Sequence, residues 1–125
     1  MELILAPDSR LETKLEKFDL TLMHPAPVAI EMLEIMNKHS GLGLSANQVG
    51  FPMQIFVMRA LLNKAHGDPV IVINPIIKGL SEELERSVEG CLSHPDLILK
   101  VNRPVSCMVE FETLTPDLKD VIHVE

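Results

Sequence analysis

The chain has 125 residues, an apolar fraction of 46% and a charged fraction of 23%, which bound it to one soluble-type domain able to bury its own core. Its formal charge of −7, with no cluster of Lys or Arg, excludes a phosphate-binding face for nucleic acid, and four Phe with no Tyr or Trp offer no base-stacking platform. No apolar run approaches the roughly 18–20 residues that cross a bilayer, and the opening "MELILAPDSR" is a poor secretory signal, so no membrane partner and a cytoplasmic location are expected.

In chain order, residues 25–39 (PAPVAIEMLEIMNKH) predict a helix. Prolines suit its first turn, and Val28, Met32, Ile35, Met36 and His39 recur at spacings of three and four. The "SGLG" that follows is a stop signal in which Gly41 is expected to take the left-handed conformation. Residues 54–60 and 69–75 are short β-branched runs bounded by turn formers, which read as buried strands. Residues 97–104, 105–113 and 120–125 look similar, whereas 76–88 is more charged and reads as an extended edge segment or a loop. One N-terminal helix packed with several short, mostly antiparallel strands predicts an α+β fold, with residues 1–125 forming a single domain.

Two stretches carry chemistry. "GLGLSANQVG" (41–50) spaces two glycines two apart, which suits an extended segment that another backbone approaches closely. A phosphate-cradling loop fails on pattern, and a plain helix-to-strand turn is the competing reading. "EGCLSHPD" (89–96) places Cys91 between Glu89 and Asp96, which disfavour a free thiolate; His94 is the single local assistant. A bound cation would reverse that logic, so the context favours a metal ligand over an unassisted nucleophile, against a buried inert cysteine as the plain alternative. Cys107, within an apolar strand run, has only that plain reading, and two cysteines suggest no disulfide framework.

Together the two stretches resemble the motifs of peptide deformylase, the metal-dependent hydrolase that removes the formyl group from the N-terminal formylmethionine of nascent polypeptides. "GLGLSANQ" is similar to its first motif, with Ser45 where the family has alanine, and Glu89 to Ser93 match its second in every position. "NP" at 74–75 and "VNRP" at 101–104 agree. The resemblance implies Cys91 as a ligand of a divalent metal, Fe²⁺ first with Zn²⁺ or Ni²⁺ as replacements. It implies the Gln48 amide and the Leu92 main-chain N–H as donors to the reaction's oxyanion, and Leu42 and Gly43 as the strand that pairs with peptide. Leu44, Glu89 and Gly90 are expected to shape the substrate pocket. The implied partners are the formylated nascent peptide and, through it, the ribosome.

The family's third motif, His-Glu-x-x-His on a helix, does not occur. None of His24, His39, His66, His94 and His123 has the required partners, and "DVIHVE" reads as the strand that precedes that helix. The expectation is a chain that stops short of two metal ligands, a general base and the central helix, leaving apolar strand faces uncovered. Neither Cys91-x-x-His94 nor His123 is expected to replace the missing ligands. The competing readings are a non-catalytic peptide-binding or regulatory protein that keeps the deformylase groove, and an unrelated cysteine hydrolase.

Overall fold

A computed structural model of the chain describes residues 1–60 and 68–125. Helix α1 (Ala26–Lys38) opens on Pro25, whose carbonyl accepts the Ala29 N–H at 3.0 Å. His24 caps this end: its Nδ1 accepts the Ala26 N–H at 3.1 Å, which leaves the ring proton on Nε2 to donate to the Lys119 carbonyl at 2.9 Å. At the other end, Gly41 N–H donates to Met36 O and Ser40 N–H to Asn37 O, the paired bonds of a Schellman close. The left-handed residue is Ser40, at φ 54°, and not Gly41 as the sequence suggested. Gly41 is small for another reason, since a Cβ there would lie 2.6 Å from Leu92 Cδ1.

The described residues hold seven strands: β1 (Gly43–Ser45), β2 (Ile55–Arg59), β3 (Pro69–Leu80), β4 (Leu84–Cys91), β5 (His94–Pro104), β6 (Cys107–Leu114) and β7 (Val121–Val124). Five form an antiparallel sheet in the order β1-β2-β3-β6-β7, and β4 pairs with β5 as a separate two-stranded ribbon. The fold is therefore α+β with antiparallel pairing throughout these strand pairs. The segment 76–88, read as an extended edge segment or a loop, is mostly extended and divides between the end of a long β3 and the strand β4 of the two-stranded ribbon.

Val28, Ala29, Met32 and Met36 of α1 are buried against Leu44 of β1, Ile55 and Val57 of β2, and Ile71 and Ile73 of β3. Phe18 completes this core, its ring 5.9 Å from that of Phe51. The β4–β5 ribbon does not share it. Residues 97–104, expected to be a buried strand, are largely exposed there, with Ile98 at 70%. Ile76, Ile77, Leu80, Val88 and Met108 are also exposed, so the far ends of β3 and β6 and the ribbon present apolar side chains to solvent. Among the described residues, no helix is long and apolar enough to cross a membrane.

Asn74 fixes the segment before α1 to the sheet. It sits at φ 51°, beside a register shift between Ile73 and Ile76 in the β3–β6 ladder. Its Oδ1 accepts the Phe18 N–H at 2.7 Å and its Nδ2 donates to the Phe18 carbonyl at 3.0 Å. Gln54 adds a second stitch, with Nε2 donating to Leu15 O and N–H to Glu16 O. Replacing Asn74 by Ala removes two partly buried hydrogen bonds and places a Cβ-bearing residue without local compensation in the left-handed region. We expect a loss of about 2–3 kcal/mol in urea unfolding, and a smaller loss of about 1–2 kcal/mol for Asn74→Gly, which relieves the backbone alone.

Candidate functional site

The helix close, β1 and a short 3-10 turn (Ala46–Val49) bring the first motif to one end of the five-stranded sheet. β1 pairs with β2 on one side, Gly43 opposite Met58 and Ser45 opposite Phe56, and its other edge has no strand partner among the described residues. Leu42, just before it, is 61% exposed, whereas Leu44 is buried in the core. The second motif ends β4 and forms the turn into β5, where the register shifts between Gly90, opposite Ile98, and Cys91, opposite His94. Both cysteines are free and exposed, so neither has the buried environment of an inert core thiol.

A cleft of about 720 Å³ lies between these parts, lined by Leu42, Gly43 and Gln48 from the first motif and Gly90, Cys91 and Leu92 from the second. His39, His94, Pro95 and Asp96 also reach it. Gln48 Nε2 lies 3.5 Å from Cys91 Sγ and 3.1 Å from Ser93 Oγ, to which it donates. The Gln48 Oε1 accepts the Ser45 N–H at 3.0 Å. The Ser45 hydroxyl turns away to the Asn47 carboxamide, whose Nδ2 donates to the Leu11 carbonyl at 2.8 Å. Ser45 and Gln48 also form a reciprocal capping box, the Ser45 side chain meeting the Gln48 main-chain N–H, so position 45 holds Gln48 through main chain and side chain together.

Leu44 and Glu89 stand outside the cleft lining. The Leu44 side chain packs in the core, and Glu89 is gripped by Arg103 through two bonds of 2.8 and 2.7 Å. The Arg103 guanidinium holds the Glu89 carboxyl below the usual carboxylate range. It also offsets one of the two negative charges that flank the sulfur in the sequence.

The residues present do not fit a complete metal centre. The polar contact given for Cys91 Sγ is the Gln48 amide, and catalytic centres usually take three protein ligands. Among the described residues, one group of three ligating side chains occurs, Glu110, His123 and Glu125, and it does not include Cys91. His66 lies outside the described residues. His123 is bonded through Nδ1 to Glu112 Oε1 at 2.7 Å and through Nε2 to Glu110 at 3.0 Å. Sequence reasoning missed Ser93 and Arg103 as parts of this region. Ser93 carried no signal beyond membership of the second motif, and Arg103 was visible only as the arginine of "VNRP".

The fold is that of solved peptide deformylases. The structure of peptide deformylase from Ehrlichia chaffeensis in complex with actinonin matches with a TM-score of 0.82 at 28% identity, covering 99% of this chain and 73% of that one. Residues 1–122 match the model of the family described as polypeptide deformylase, and the chain belongs to that family. The peptide deformylase of Afipia carboxidovorans is 34% identical over 99% of this chain and 70% of its own length. That of Thermosynechococcus vestitus is 42% identical over 68% of this chain, a stretch that spans 45% of its own length. The family is one of metal-dependent hydrolases.

The acidic partners of His123 set a testable pH dependence. The Glu112 hydrogen bond, against partial desolvation and with help from the charges of Glu112, Glu110 and Glu125, raises the His123 pKa. The folded chain then holds this proton more tightly than the unfolded one. Its stabilising contribution is fully present below the ordinary pKa of about 6.5 and is lost as pH rises through the higher folded value. We expect an NMR titration midpoint for His123 above about 6.5, and a lower midpoint in Glu112→Gln.

Proposed function

We propose that this chain provides the substrate groove and oxyanion donors of a peptide deformylase, acting on the formylated N-terminus of newly made polypeptides. One observation carries the reading: a carboxamide donor stands 3.5 Å from the motif cysteine in a cleft bordered by β1, whose outer edge has no strand partner among the described residues. In this reading an extended peptide adds to β1 as a further strand, its main chain pairing near Gly43. Leu42 and Gly90 flank it, and the apolar first side chain of the peptide rests among Leu92, Leu97 and Ile98 of the same cleft. The formyl oxygen then faces the Gln48 Nε2–H and the Leu92 N–H. Negative charge develops on that oxygen as the formyl carbon is attacked, and donors fixed there in advance lower the barrier.

Leu44 and Glu89 act from behind the groove, the first by anchoring β1 in the core and the second by tying β4 to β5 through Arg103. Cys91 takes the metal-ligand place that the resemblance gave it, with iron(II) as the first candidate and zinc or nickel as replacements. The other donors are not among the described residues beside it. A cytoplasmic site of action, beside nascent chains at the ribosome, belongs to the same reading. The lone thiol also favours a second reading, in which the groove binds formylated peptide without turnover.

A formyl-methionyl tripeptide separates the two. Titrated into the isotope-labelled chain, it should shift the amide signals of Leu42 to Ser45; absence of those shifts overturns the groove. Formate release after anaerobic loading with ferrous iron supports the enzyme, and binding without release supports the binding protein. Where turnover is present, Gln48→Ala should lower it by about 10²–10³ and leave peptide affinity within a few-fold.

A further inference from the structure

We infer that Ser93 is a positioning residue that holds the Gln48 carboxamide with one N–H aimed into the cleft. Ser93 is 1% exposed and is the one buried polar side chain among the described residues. A hydroxyl so placed needs a partner, and its partner is Gln48 Nε2 at 3.1 Å. The carboxamide is planar, so its three polar positions are coupled. Its oxygen is taken by the Ser45 N–H at 3.0 Å, and one of its two N–H groups is taken by Ser93 Oγ. The remaining N–H lies on the Cys91 side, where Nε2 is 3.5 Å from Sγ. Rotating the amide by half a turn would set its NH₂ against the Ser45 N–H, donor to donor, and is disfavoured.

The backbone supports the same geometry from below. Ile4 N–H donates to the Gln48 carbonyl at 2.7 Å, and Ala6 N–H donates to the Ser93 carbonyl at 2.8 Å. A single short segment, Ile4 to Ala6, thus clamps the two residues whose side chains meet above it. Removing the Ser93 hydroxyl would leave a Gln48 N–H facing a buried methyl group, and the amide would turn to recover a partner. That turn would withdraw the donor from the cleft.

The inference rests on the proposed groove for its purpose but not for its test. The Gln48 side-chain NH₂ protons are followed by NMR in the free 125-residue chain, as wild type, Ser93→Ala and Ser93→Thr. In Ser93→Ala the proton bonded to Ser93 should exchange with solvent about tenfold faster and change shift, while the Ala6 amide keeps its protection. Ser93→Thr, which keeps the hydroxyl, should restore the slow exchange. Unchanged Gln48 NH₂ signals in Ser93→Ala overturn the assignment, as does loss of the Ala6 protection in step with them, which would mean a merely structural serine. If Ser93→Thr does not fold, the Ala variant alone decides by the same two signals. Adding the formyl-methionyl tripeptide should move the second Gln48 proton in wild type and about tenfold less in Ser93→Ala, with the Leu42 to Ser45 shifts retained. Failure of the peptide to bind wild type would remove the groove and leave the Ser93 result standing on the free-chain spectra.

Discussion

A primary amide offers two donors and one carbonyl oxygen in a plane, and at Gln48 that plane joins the two halves of the cleft. The carbonyl end is fixed by the start of its own turn at Ser45, and the NH₂ end reaches across to the turn after β4. The β4–β5 ribbon otherwise forms its own sheet, outside the five-stranded one. Its position beside β1 therefore depends on a few contacts: this amide, the Ile4 to Ala6 clamp, and Leu92 packed over the Cβ-less Gly41. The cleft exists because two separately built parts are held at that seam.

The two parts are stabilised differently. The five-stranded sheet is ordered by burial, with α1 and β1 to β3 sharing a core of Leu, Ile, Val and Met. The ribbon has little buried surface and is ordered by cross-strand pairing, to which the Glu89–Arg103 grip contributes. An exposed ion pair of this kind supplies register more than stability. Rigid support thus lies under the β1 side of the cleft, and the more loosely founded side carries the cysteine.

This difference also explains what was legible from the residues. α1, β2 and the first half of β3 are buried elements, and their apolar periodicity marks them plainly. β4 leaves no such mark, because Glu85, Arg86 and Val88 all face solvent and its pairing with β5 is a long-range event. The seven-residue run "IIKGLSE" left an extended edge segment and a loop both open, because most of it continues β3 through a register shift that alternation cannot reveal. The motif residues Gln48, Cys91 and Leu92 could be named, since their types and spacing are distinctive. Ser93 could not, because its partners are distant in sequence: the Gln48 amide at its hydroxyl and the Ala6 N–H at its carbonyl. The turn at Ser40 misled for a similar reason: glycine is the usual left-handed residue, yet here it is placed for the close approach of Leu92.

The border of β1 that has no strand partner among the described residues is three residues long. An added chain can align two or three of its peptide units there before the sheet runs out, and peptide units are the same in every protein. On the proposed reading, a border this brief would hold an added strand through few main-chain bonds, and the rest of its hold would have to come from side chains in the cleft.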